Sequence, residues 1–113
     1  NTELSFDPAV ARSYAYCSDT LYDERIIPLI EGVDLLYHES TFLEKEAHLA
    51  EKTMHSTAKQ AATIALKAKV RQLALGHYST RYGSIDGFQS EAETIFPNVW
   101  LADDGKEFEI PLR

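Results

Sequence analysis

Cysteine is almost missing from this chain, and long apolar runs are missing altogether. Cys17 is the only cysteine, so no internal disulfide can form and a reducing compartment, the cytoplasm, is expected. No apolar run approaches the ~18 to 20 residues needed to cross a bilayer, so no membrane partner is expected. The opening Asn1-Thr2-Glu3-Leu4 lacks the basic and apolar regions of a signal peptide. Methionine is scarce too: Met54 is the only one, and the lack of an initiator Met suggests a piece of a longer polypeptide. Cations are outnumbered, 11 Lys and Arg against 18 Asp and Glu, giving a net charge of -7. That balance excludes a broad cationic surface for nucleic acid. It does not exclude a substrate engaged at one phosphate by bound metal and a few placed arginines. Repeats, low-complexity stretches and linkers are also absent.

What is present suffices for one folded domain: 113 residues, 44% of them hydrophobic. Tyr-rich alternation over Arg12 to Cys17 predicts a strand, and Asp23 to Glu31 predicts a short helix capped by Asp23 and limited by Pro28. Val33 to His38 reads as a buried strand, and Leu43 to Lys52 as a charged, helical segment. Thr57-Ala58-Lys59-Gln60 matches a capping box, followed by a small-residue face of Ala58, Ala61, Ala62, Ala65 and Leu66. Val70 to Gly76 predicts another buried strand. Ser84 is placed to cap a helix facing inward through Ile85, Phe88, Ala92 and Ile95. Val99 to Ala102, a turn at Asp103-Asp104-Gly105 and Lys106 to Ile110 predict a terminal hairpin. Such alternation indicates a layered α/β domain whose strand ends share one rim.

Four segments place acids or imidazoles along that rim. Asp19, after the first strand, is placed to bridge two metal ions, or more plainly to cap a turn. His77 follows Leu73-Ala74-Leu75-Gly76, with Gly76 expected to free the backbone that aims its ring. It is either a metal ligand or a half-buried histidine bonded to a carbonyl. His55 stands just before a helix N-terminus, where an anionic phosphate is favoured, and is placed to donate a proton to a leaving oxygen. Glu39 is the candidate to hold the far ring nitrogen and support the charged form; its plainer role is a salt bridge. Arg81 can bind phosphate in bidentate fashion or form a structural ion pair. Cys17 is expected to be a small buried hydrophobe, His48 to be exposed, and His38 to point into packing.

Taken in order, Ser18-Asp19-Thr20, His38-Glu39-Ser40-Thr41-Phe42, His55-Ser56-Thr57-Ala58-Lys59-Gln60-Ala61 and His77-Tyr78-Ser79-Thr80-Arg81-Tyr82 resemble the C-terminal half of ribonuclease Z. That family comprises tRNA 3′-processing endoribonucleases of the metallo-β-lactamase fold. The resemblance runs from about Tyr14 to Ile110. It implies that residues 1–113 are half of an αββα sandwich: one mixed sheet, helices on one face and a C-terminal hairpin. The implied activity is removal of the 3′ trailer of precursor tRNA by metal-hydroxide attack on a phosphodiester. Asp19 would bridge two zinc ions, His77 would bind one, His55 oriented by Glu39 would protonate the leaving group, and Arg81 would touch RNA phosphate. The family's His-x-His-x-Asp-His string, which supplies most zinc ligands, is not in this sequence. The half-domain alone is therefore expected to bind zinc very weakly, to be inactive, and to form a homodimer through its uncovered sheet face. The competing readings are another phosphodiesterase of this fold and a non-catalytic interaction module.

Overall fold

Four short runs rich in apolar residues pair into one sheet in the computed structural model, which describes residues 13–18 and 21–102. They are β1 (Tyr14–Cys17), β2 (Leu35–Glu39), β3 (Gln72–Gly76) and β4 (Val99–Leu101), in the order β1-β2-β3-β4. All three pairings are parallel. Parallel neighbours need crossover connections, so each of the first three strands is followed by helix, and strand ends of like direction gather on one edge. The return arm of the expected hairpin, which a mixed sheet would need, lies outside the described residues.

The pairing register sorts the side chains onto two faces. Leu36, Leu73, Leu75 and Val99 join one buried cluster with Ile30, Ile64, Phe88, Ala92 and the alanines of a helix. Each fully buried Leu, Ile or Phe there contributes roughly 1.5 to 3 kcal/mol. Opposite, Leu35, Ala74 and Ala102 form a smaller cluster flanked by Tyr37 and Trp100. On that second face Tyr16 stacks on Tyr37 at 4.5 Å, and Tyr14 and Tyr16 are exposed. Among the described residues, helices cover only the first face, as the half-sandwich expectation required.

Local chemistry places the helices. Asp23 accepts from the Arg25 amide, opening the turn Glu24–Ile26 that leads into α1 (Ile27–Ile30), with Pro28 in its first turn. A turn at Glu44–Glu46 leads into α2 (Ala47–Thr53), which stops at Met54 in the left-handed region, φ 62°. The capping box opens α3 (Ala58–Ala68): Thr57 Oγ1 accepts from the Gln60 amide at 3.1 Å, and Gln60 Oε1 from the Thr57 amide at 2.9 Å. Its buried face is Ala58, Ala61, Ala62, Ile64, Ala65 and Ala68. Leu66, expected on that face, is 51% exposed, because it lies about a third of a turn from the centre of the stripe. The last helix, α4 (Asp86–Glu93), buries Phe88 and Ala92 as expected. Its cap is Ile85 rather than Ser84, although Ser84 Oγ still accepts from the Asp86 amide at 3.2 Å.

Candidate active site

Glu39 ends β2 with its carboxylate wholly buried, which is costly unless donors surround it. Four donors do. Oε2 accepts from the Thr41 amide at 3.0 Å and from Thr41 Oγ1 at 2.8 Å. Oε1 accepts from His55 Nδ1 at 3.0 Å and from the Ser56 amide at 3.1 Å. Glu39 therefore ties its own strand end to the segment between α2 and α3. His55 does not sit at a strand end. A left-handed Met54 and a single parallel bridge between Phe42 and Thr57 bring it to the rim instead.

His77 arrives from β3. Gly76 does not supply the backbone freedom expected of it; His77 itself takes the left-handed conformation, φ 61°. Histidine tolerates that region better than most residues. The absence of a side chain at Gly76 answers a different need, since a Cβ there would lie 2.1 Å from the Tyr37 hydroxyl oxygen.

Thr41, which the strand-end reading passed over, joins the two halves. Its Oγ1 lies 2.9 Å from His77 Nδ1. A hydroxyl has one proton, and Thr41 gives it to the Glu39 carboxylate, an acceptor only. Thr41 Oγ1 must then accept from His77 Nδ1–H, which places the lone pair of the neutral ring on Nε2. His55 likewise gives its Nδ1 proton to Glu39. One carboxylate thus fixes the tautomer of two imidazoles, one directly and one through a hydroxyl. Their rings lie 5.3 Å apart, centre to centre. Only the pattern of a threonine two residues beyond a strand-end acid hinted at this in the sequence.

Potential ligand atoms of Glu39, His55 and His77 all lie within 4.8 Å of one another. Proximity alone does not make all three ligands. The Glu39 oxygens are engaged by four donors and His55 Nδ1 by Glu39. His77, with its acceptor fixed at Nε2, has the form of a metal ligand, and Glu39 has the form of the group that orients it. Asp19 lies outside the described residues.

The remaining candidates separate cleanly. His38 is buried as expected: Nδ1 donates to the Glu39 carbonyl at 2.8 Å, and Nε2 has no partner among the described residues. Burial lowers its pKa, against the opposing pull of the Glu39 carbonyl and charge. Cys17 packs against the helix-side core, and burial raises its pKa. Tyr82 is raised by burial and by its bond to Glu46. His48 is exposed. Arg81 is exposed and forms no ion pair among the described residues; its guanidinium carbon lies 5.7 Å from the Phe42 ring centre.

No family model matches the chain. Solved structures define its class. The metallo-β-lactamase fold protein YhfI from Bacillus subtilis superposes with a TM-score of 0.79 and 29% identity, covering 85% of this chain and 39% of that one. The short form of human tRNase Z gives 0.63 and 28%, covering 91% and 33%. The fold is that of the metallo-β-lactamase proteins. Within that class, the sequence is similar to ribonuclease Z along nearly its whole length. It is 54% identical over 104 residues to the enzyme of Parabacteroides distasonis, covering 91% of this chain and 34% of that protein. The chain spans about a third of the length of the curated relatives it matches.

Proposed function

We propose that residues 1–113 are the C-terminal half-domain of a zinc-dependent endoribonuclease that removes the 3′ trailer of precursor tRNA. The observation that carries this reading is the buried Glu39 carboxylate bonded to His55 directly and to His77 through Thr41. The similarity to ribonuclease Z supplies the substrate.

In this reading two zinc ions would complete the centre, and Asp19 and His77, the latter through Nε2, would help to hold them. When bound, they supply Lewis-acid activation of water and neutralise phosphate charge. Glu39 and Thr41 hold His77 in the tautomer that ligation needs. Glu39 also holds His55 Nδ1–H, so a second proton on that ring sits on Nε2, from which it passes to the leaving oxygen. The Glu39–His55 contact is then an ion pair. Arg81, uncommitted to any acid among the described residues, binds an RNA phosphate despite the acidic surroundings.

The rest of the enzyme would supply the remaining ligands and cover the sheet face bearing Tyr14, Tyr16, Tyr37 and Trp100. The half-domain alone would form a homodimer through that face, and light scattering showing only monomer at high concentration would refute this. A cytoplasmic location for the enzyme is part of this proposal; there the one cysteine of residues 1–113, Cys17, would stay a free thiol. The decisive test is His55→Ala in the full-length enzyme. Turnover should fall by a factor of about 100 or more while precursor-tRNA affinity changes little. Unchanged turnover would instead identify a non-catalytic module.

A further inference from the structure

Phe42 occupies a position that no candidate list based on chemistry would include, because its side chain is only a hydrocarbon ring. Its surroundings give it a role. The backbone of Phe42 bridges Thr57, its amide donating to the Ser56 carbonyl at 3.4 Å and its carbonyl accepting from Ala58 at 3.0 Å. The segment that carries His55 is thereby registered against residue 42. On the other side, the loop after β3 clasps the same short stretch through consecutive residues. The Ser79 amide donates to the Thr41 carbonyl at 2.9 Å, the Leu43 amide donates to the Tyr82 hydroxyl at 2.9 Å, and Arg81 lies over the Phe42 ring. Phe42 is itself 6% exposed, so the ring is a fixed platform rather than a mobile neighbour.

A guanidinium over an aromatic face keeps its N–H edge turned outward while the cation is held by the ring quadrupole. An exposed arginine without such a support samples many rotamers and must be ordered when phosphate binds. Among the described residues, Arg25 is paired with Asp23, Lys67 with Glu24 and Arg71 with Asp34. An acid beside Arg81 would compete with phosphate. An aromatic ring positions the cation without neutralising it.

We propose that Phe42 is a positioning residue for RNA binding. Its ring presents Arg81 to a substrate phosphate, and its backbone fixes that cation relative to His55. This rests on the nuclease reading above. The test uses the full-length enzyme and precursor tRNA, with Phe42→Leu, Phe42→Tyr, Phe42→Trp, Arg81→Gln and the double variant Phe42→Leu/Arg81→Gln. Phe42→Leu should raise KM about two- to fivefold, with kcat within about twofold of wild type. Phe42→Tyr and Phe42→Trp should restore KM, because they keep the ring. Arg81→Gln should reduce the slope of log KM against log salt by about one, and adding Phe42→Leu to it should change KM no further. A Phe42→Leu effect that persists undiminished beside Arg81→Gln, or that falls on kcat and thermal stability and is not rescued by aromatic residues, would overturn the proposal. An inactive wild-type enzyme would instead overturn the nuclease reading on which it rests.

Discussion

Replacing Glu39 by Gln is the sharpest test of how the site is held together. The change keeps the shape and removes one acceptor oxygen. In the folded protein one carboxylate oxygen faces the Thr41 amide and hydroxyl, and the other faces the Ser56 amide and His55 Nδ1. The glutamine NH2 must point toward one of these pairs. If it faces Thr41, the hydroxyl can rotate and accept, but the Thr41 amide has lost its acceptor. If it faces His55, the ring can change tautomer and accept, but the Ser56 amide has lost its acceptor. Neither rotamer avoids a buried N–H left without this partner, which costs about 1 to 3 kcal/mol. The surviving bonds also lose their charge assistance, so the total should be about 2 to 5 kcal/mol. For a domain of this size each kcal/mol lowers Tm by roughly 4 to 8 °C. Urea denaturation gives the free energy, and long-range 1H–15N imidazole spectra give the tautomers. Wild type should show His77 protonated on Nδ1, and Thr41→Val should release that preference. A Glu39→Gln loss below about 1 kcal/mol, with both histidine patterns unchanged, would refute the four-donor account.

Two further outcomes follow from packing and burial. Gly76→Ala should destabilise by about 1 to 3 kcal/mol, because its Cβ would meet the Tyr37 hydroxyl and ring. Tyr37→Phe should recover only part of that loss, since the ring carbons are themselves within 2.8 Å, and full recovery in thermal melts would contradict it. His38 has a pKa below its ordinary value because burial disfavours the imidazolium. Its unfolded form binds a proton near pH 6.5 and its folded form only lower, so stability is full above about pH 6.5 and falls with acidification toward the depressed folded value. The slope from this one site is at most about 1.4 kcal/mol per pH unit. His38→Gln should flatten the denaturation profile below about pH 6.5 by up to that slope, and superimposable profiles would exclude His38 as the source.

Residues whose role follows from their immediate neighbours were legible in the sequence. Thr57 and Gln60 form the capping box because the motif is closed within four residues. Asp23 caps its turn, and His38 lies on the packed face by strand parity alone. Residues whose role depends on what another element brings to them were not. Thr41 carries no role in the sequence reading until His77 arrives from the next strand and needs an acceptor. Gly76 reads as a flexible joint until Tyr37 arrives from the neighbouring strand and leaves no room for a Cβ. For Arg81 the sequence left a phosphate contact and a structural ion pair both open, and only the fold brings the Phe42 ring beneath its guanidinium.

These misreadings share a physical origin. Motif reasoning treats each candidate as an isolated functional group with a preferred chemistry, whereas the fold assigns protons and space between groups. Glu39, whose bond to His55 the sequence did anticipate, shows how the fold makes that assignment. By type and proximity it qualifies as a metal ligand, and it lies within 4.8 Å of both histidines' ligating atoms. Once its four donors are counted, direct ligation would require it to give up hydrogen bonds that satisfy two buried amides. The same carboxylate is worth more to the site by fixing two rings than by binding an ion. What sets His77 apart from Glu39 as a candidate ligand is therefore which lone pairs the protein has already used.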